Sequence, residues 1–146
     1  MISCKIISSL EKVFHNTDIG ALEQLERISA LKGERLSFQM AFVSDKAVNG
    51  QVRVPLKLEG ALAEYATVRN ISSVSVLHPV NPTAYDDEYL STEPGLYPDL
   101  LEPFRYRSDF IAPDRTLRSL WFELDPRGEV EAGSTGSELC VRGQVP

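Results

Sequence analysis

The chain has 146 residues, with 15 Lys plus Arg against 21 Asp plus Glu, and a formal net charge of −6. That length fits one domain and is too short for a sugar-cleaving (β/α)₈ barrel, which needs at least roughly 200 residues. So acidic a chain lacks the basic footprint of a nucleic-acid binder and is repelled by an anionic lipid surface. Hydrophobic residues make up 42%, enough for a core.

No run of about 20 apolar residues exists, so no membrane span is expected. The opening MISCKIISSLEKVF lacks a basic stretch followed by a long apolar one, and Ser8, Ser9 and Glu11 interrupt it. A signal peptide is not expected, and the chain reads as cytoplasmic. Cys4 and Cys140 lie near opposite ends and form no cluster, so neither a zinc site nor any other metal or cofactor is expected. They read as free thiols, with a disulfide possible only if the first and last strands adjoin.

In chain order, residues 4–14 predict a strand. Residues 18–26 predict the single helix, with Asp18 as N-cap. Residues 25–31 predict a strand joined through the turn Lys32-Gly33-Glu34 to a clearer one at 35–44. There Leu36, Phe38, Met40 and Phe42 alternate with Arg35, Ser37, Gln39 and Ala41. Successive side chains of a strand point to opposite faces, so the first set reads as core and Gln39 as free to bond neighbouring backbone. Residues 51–58 repeat the pattern with Val52, Val54, Leu56 and Leu58. Pro55 cannot donate to a ladder, which puts this strand at an edge or a bulge.

Residues 65–71 and 73–78 predict one long strand, or two with a bend near Asn70. Residues 79–104 hold five of the nine prolines. Proline fixes φ and is excluded from central ladders, so the stretch reads as a long loop. Its apolar residues, among them Tyr85, Tyr89 and Tyr97, favour an ordered loop packed on the rest. Strands at 105–111, 117–124 and 137–142 complete the chain. Seven to nine short antiparallel strands without repeats predict an all-β, two-sheet β-sandwich spanning residues 1–146 as one domain.

The chemistry is sparse. His15 and His78, the only histidines, read as turn and strand-end residues, and no glycine-rich phosphate loop occurs. Asp86, Asp87 and Glu88 could offer oxygens to calcium, but adjacent residues cannot all face one ion, and a solvated turn is the plainer reading. Asp99 and Glu102 could be an acid–base pair, but read as local caps. No catalytic residue is expected. Trp121, the only tryptophan, points away from Leu120, Phe122 and Leu124. It is covered by the 79–104 loop, stacks on a sugar, or anchors a partner. Tyr85, Tyr89, Tyr97 and Tyr106 raise the same question, and with Trp121 form the candidate binding set.

Four strings stand together: SLEKVF at 9–14, LKGERLSFQMAF at 31–42, EPGLYPDLLEP at 93–103, and LWFELDP with EAG at 120–133. In this order they resemble the N-terminal β-sandwich domain of a bacterial family similar to glycoside hydrolase family 123. The resemblance runs from about residue 8 to 142. It implies a multi-domain parent in which the sandwich precedes a catalytic barrel. The characterised relatives remove terminal β-linked N-acetylgalactosamine by a substrate-assisted route, using an Asp-Glu pair in the barrel. That pair would lie beyond residue 146, so no active-site residue transfers. The resemblance implies an accessory domain whose partner is the parent's own barrel. A glycan-binding module and a self-associating domain are the alternatives.

Overall fold

The computed structural model describes residues 2–45, 51–78, 91–104, 109–113, 115–131, 133 and 137–141. Eight strands occur there: β1 (Ile2–Ser8), β2 (Leu36–Ser44), β3 (Gln51–Gly60), β4 (Ala66–Val76), β5 (Gly95–Pro103), β6 (Asp109–Pro113), β7 (Arg118–Leu124) and β8 (Ser137–Val141). They form a five-stranded sheet, β1-β2-β7-β4-β5, and a three-stranded sheet, β6-β3-β8. Every pairing is antiparallel. The all-β expectation holds. Among the described residues no helix is long and apolar enough to cross a membrane.

The alternation in β2 sets the core. Met40 and Phe42 pair across to Leu120 and Arg118 of β7. Met40, Phe42, Leu120 and Phe122 form one buried cluster with Val54 of β3 and Ala112 of β6. The facing sides of the two sheets therefore share one apolar interior. Phe38 stacks on Phe122 with ring centroids 5.0 Å apart and planes 2° apart.

The other face of the large sheet is also buried. Ala41 and Ile7 cluster there with Val13, Leu22 and Leu117. Val13 and Leu22 belong to the excursion between β1 and β2, so this stretch covers the large sheet from outside. That explains why several local expectations fail in it. β1 ends at Ser8, where Glu11 N–H donates to the Ser8 carbonyl, so the 4–14 strand stops short. The 18–26 helix shrinks to one 3-10 turn, Ile19–Ala21. Asp18 does cap it, accepting from the Gly20 N–H at 3.0 Å. Leu22 is already extended and turns inward to the cluster, which stops the helix. Residues 25–31 form no strand: apart from half-buried Leu25 they are exposed, and one bond from Leu25 N–H to the Ile6 carbonyl ties them down.

Two proline expectations are corrected. Residues 95–103 are strand β5 rather than loop, despite Pro98 and Pro103. β5 pairs only with β4, and an edge strand has one side on which a missing N–H breaks no ladder bond. Its register slips between Ser72 and Ser73, opposite Leu100 and Pro98. Residues 79–90 of the expected loop lie outside the described residues. Pro55, expected at an edge or a bulge, sits in the central strand β3. It is the last β3 residue paired with β6, and Leu56 begins the pairing with β8. The proline thus falls where one ladder hands over to the next. Gly33 takes φ +80° in the turn before β2, a conformation that favours glycine. β1 and β8 lie in different sheets, and Cys4 is a free thiol.

Phe122 is fully buried and stacked, so Phe122→Ala is expected to cost about 3–5 kcal/mol through lost transfer energy and a residual cavity. Urea denaturation checks this; a midpoint equal to the parent's would refute the placement of the core between the sheets.

Candidate functional site

The outer face of the large sheet is organised by a buried amide. Gln39 is 2% exposed. Its Nε2 lies 3.2 Å from the Ser8 carbonyl, 3.2 Å from that of Ser9 and 2.7 Å from that of Glu11. Its Oε1 accepts from the Ser119 hydroxyl at 3.0 Å. Two N–H donors serve three carbonyls, so one is shared. This holds the start of the 9–25 excursion against β2 and β7.

Trp121 lies opposite Gln39 in the register. It lines a cavity of about 170 Å³ with Gln39, Ile71, Pro98 and Leu101, and with the ion-paired Lys12 and Asp99. The tryptophan is half-buried, and its Nε1–H is buried without an acceptor. Such a donor costs about 1–3 kcal/mol. The cover comes from residues 9–13 and from β5, the part of the expected loop that became a strand. Asp99 pairs with Lys12, and Glu102 accepts from the Ser72 hydroxyl, so neither acts as the local cap expected of it.

A second cleft, of about 360 Å³, lies beside the first, lined by Phe14, His15, Glu93, Pro94 and Tyr97 among others. Tyr97 meets Phe14 edge-to-face, centroids 5.7 Å apart and planes at 79°. Its hydroxyl donates to the Glu93 carbonyl at 2.5 Å. His15 Nε2 is 2.9 Å from Ser73 Oγ. Desolvation and then the positive charge of Arg118 lower the His15 pKa, so the neutral imidazole is favoured. A hydroxyl beside a neutral imidazole is the start of a nucleophile–base pair. Among the described residues the His15 ring has no second hydrogen-bond partner to orient it, and a catalytic base needs such a third group.

The sequence placed His15 at a turn and did not single out Ser73. They are 58 residues apart and meet only because the excursion folds back over β4. Of the candidate binding set, Trp121 and Tyr97 line neighbouring cavities. Tyr85, Tyr89 and Tyr106 lie outside the described residues, as do Asp86, Asp87 and Glu88. Among the described residues, no group of three His, Cys, Asp or Glu side chains could hold a metal ion.

No protein-family model matches the chain, and no curated protein matches it. Among solved structures, it is similar to a family 123 glycoside hydrolase from Clostridium perfringens, studied for glycolipid glycan hydrolysis. The TM-score is 0.69 at 13% identity, over 97% of this chain and 24% of that one. Identity this low shows a shared fold alone. The chain spans about a quarter of the hydrolase's length.

Gln39→Leu keeps the volume but takes the side-chain donor from the Ser8, Ser9 and Glu11 carbonyls and the acceptor from the Ser119 hydroxyl. It is expected to cost about 1–3 kcal/mol and to loosen residues 9–13 from the sheet; faster hydrogen exchange at Glu11 and Val13 checks it. The His15 pKa in the fold lies below its unfolded value, so the unfolded chain takes up the proton first. Stability is then held at neutral pH and lost as pH falls below about 6.5. His15→Gln is expected to flatten that part of the pH–stability curve, read by thermal melts from pH 7 downward.

Proposed function

We propose that this chain is a non-catalytic accessory β-sandwich domain of a glycoside-hydrolase-like protein, packing against or positioning a catalytic barrel. The observation that carries the reading is the asymmetry of coverage: nearly all of this chain aligns with about a quarter of a family 123 hydrolase. In that arrangement most of the longer chain, and room for its chemistry, lies outside the sandwich.

The surface supports it. Leu96, Leu100 and Leu101 of β5 are 50%, 47% and 41% exposed, and Val74 and Leu77 near the end of β4 are 42% and 70% exposed. Apolar side chains gathered along one edge are what a neighbouring domain covers. The half-burial of Trp121 beneath residues 9–13 weighs against an open sugar-stacking platform.

The reading is tested first by the DNA that follows the codon for Pro146. A frame continuing into a (β/α)₈ barrel with adjacent Asp and Glu supports it; an immediate stop codon overturns it. The isolated chain is also expected to release no aryl alcohol from an aryl β-N-acetylgalactosaminide. Robust turnover by this chain alone would defeat the assignment.

A further inference from the structure

On the inner face of the large sheet, beyond the shared apolar core, lies a polar cleft of about 220 Å³. Arg118, Asn70 and Ser72 line it together with Phe42 and Ile111. Strand alternation puts the three polar residues on one face. Arg118 is two residues from Leu120, which belongs to the core cluster, and Asn70 is the cross-strand partner of Leu120. Ser72 follows Asn70 by two positions.

Arg118 is half-buried, and its Nε–H is buried with no acceptor. None of the ion pairs among the described residues includes it. This contrasts with Arg35 and Arg69, which each reach Glu123. A partly desolvated guanidinium with a buried Nε–H that lacks an acceptor is costly unless an anion meets it. Its planar fork matches a carboxylate in two parallel hydrogen bonds. Asn70 adds two N–H donors beside it. Phe42 and Ile111 add apolar walls, suited to a hydrocarbon body rather than to a bare ion.

The charge of the ligand is limited by a neighbour. Glu102 is the cross-strand partner of Asn70 and accepts from the Ser72 hydroxyl. One carboxylate beside the cleft, on a chain of net charge −6, opposes a dianion more than a monoanion. We propose that the Arg118–Asn70–Ser72 cleft binds a small monocarboxylate with a compact apolar body, its carboxylate on the guanidinium and its body against Phe42 and Ile111. The site is independent of the accessory-domain reading, since it lies wholly within this chain.

The test is titration of the whole chain with acetate, butyrate and benzoate, with inorganic phosphate alongside, by calorimetry and by the ¹⁵N signal of the Arg118 Nε–H. Benzoate and butyrate are expected to bind saturably, more tightly than acetate or phosphate, and to move that signal. Arg118→Met is expected to weaken binding about tenfold or more, since a charged hydrogen-bonding partner is lost. Asn70→Ala, an independent variant should Arg118→Met fail to fold, is expected to weaken it severalfold with an unchanged melt. An unmoved Nε–H signal across the millimolar range, tighter binding of phosphate than of benzoate, or equal affinity in a folded Arg118→Met chain would each overturn the site.

Discussion

The fold depends on burying both faces of the β2–β7 pair. One face is closed by the smaller sheet, through Met40, Phe42, Leu120 and Phe122 against Val54 and Ala112. The other cannot be closed by a third sheet, because no strands are left for it among the described residues. It is closed by the irregular excursion 9–25. Irregular backbone packed against a sheet brings carbonyls that no ladder satisfies, and these need partners when water is excluded. Gln39 supplies them, with Ser119 fixing the amide from the neighbouring strand. The polar residue at the centre of a buried face is thus the condition for covering that face without regular structure.

From that condition follow the positions of the two cavities. The excursion reaches over β7 and β4 as far as β5, where Lys12 pairs with Asp99 and Phe14 meets Tyr97. The gaps beneath it are the spaces around Trp121 and His15. An exposed ion pair such as Lys12–Asp99 contributes little, about 0–1 kcal/mol, so the apolar contacts of Val13 and Leu22 hold the cover down. The cavities are consequences of an imperfect lid over a sheet.

Where strands alternate cleanly, the pattern carried the sidedness but not the burial: the Gln39–Ala41 face of β2, read as lying outside the core, is buried under the 9–25 excursion. The faces of β2 and β7, the outward set of Trp121 and the reach of Gln39 to nearby backbone were all legible, because a period of two is a direct statement about sidedness. Residues 65–78 were legible as one long strand or two with a bend near Asn70; they form one strand, β4, whose register shifts at Ser72–Ser73. The 9–31 stretch was not legible, because its apolar residues serve a tertiary surface and keep no local period. Proline misled at 95–103 for a related reason. It forbids a central ladder but says nothing about an open edge, and edge status depends on the order of strands, which local pattern does not carry. His15 and Ser73 were invisible as a pair on the same ground: nothing in either neighbourhood points to the other.

Among the described residues, each face of the large sheet holds one buried donor without an acceptor, Trp121 Nε1–H on the outer face and Arg118 Nε–H on the inner, and only the second belongs to a charged group. On the outer face the buried Gln39 is fully engaged, so its role is structural. On the inner face, past the end of the core, the Arg118 Nε–H has no acceptor while the charge of its guanidinium is felt by His15. A group that only stabilised the fold would be expected to meet a carboxylate, as Arg69 meets Glu123. Selection for stability favours pairing or replacing a desolvated cation, because leaving it alone costs more than either. Of the two buried donors without an acceptor, Trp121 Nε1–H and Arg118 Nε–H, the charged one is the costlier to desolvate, and it is therefore where the fold departs furthest from the economy of its own packing.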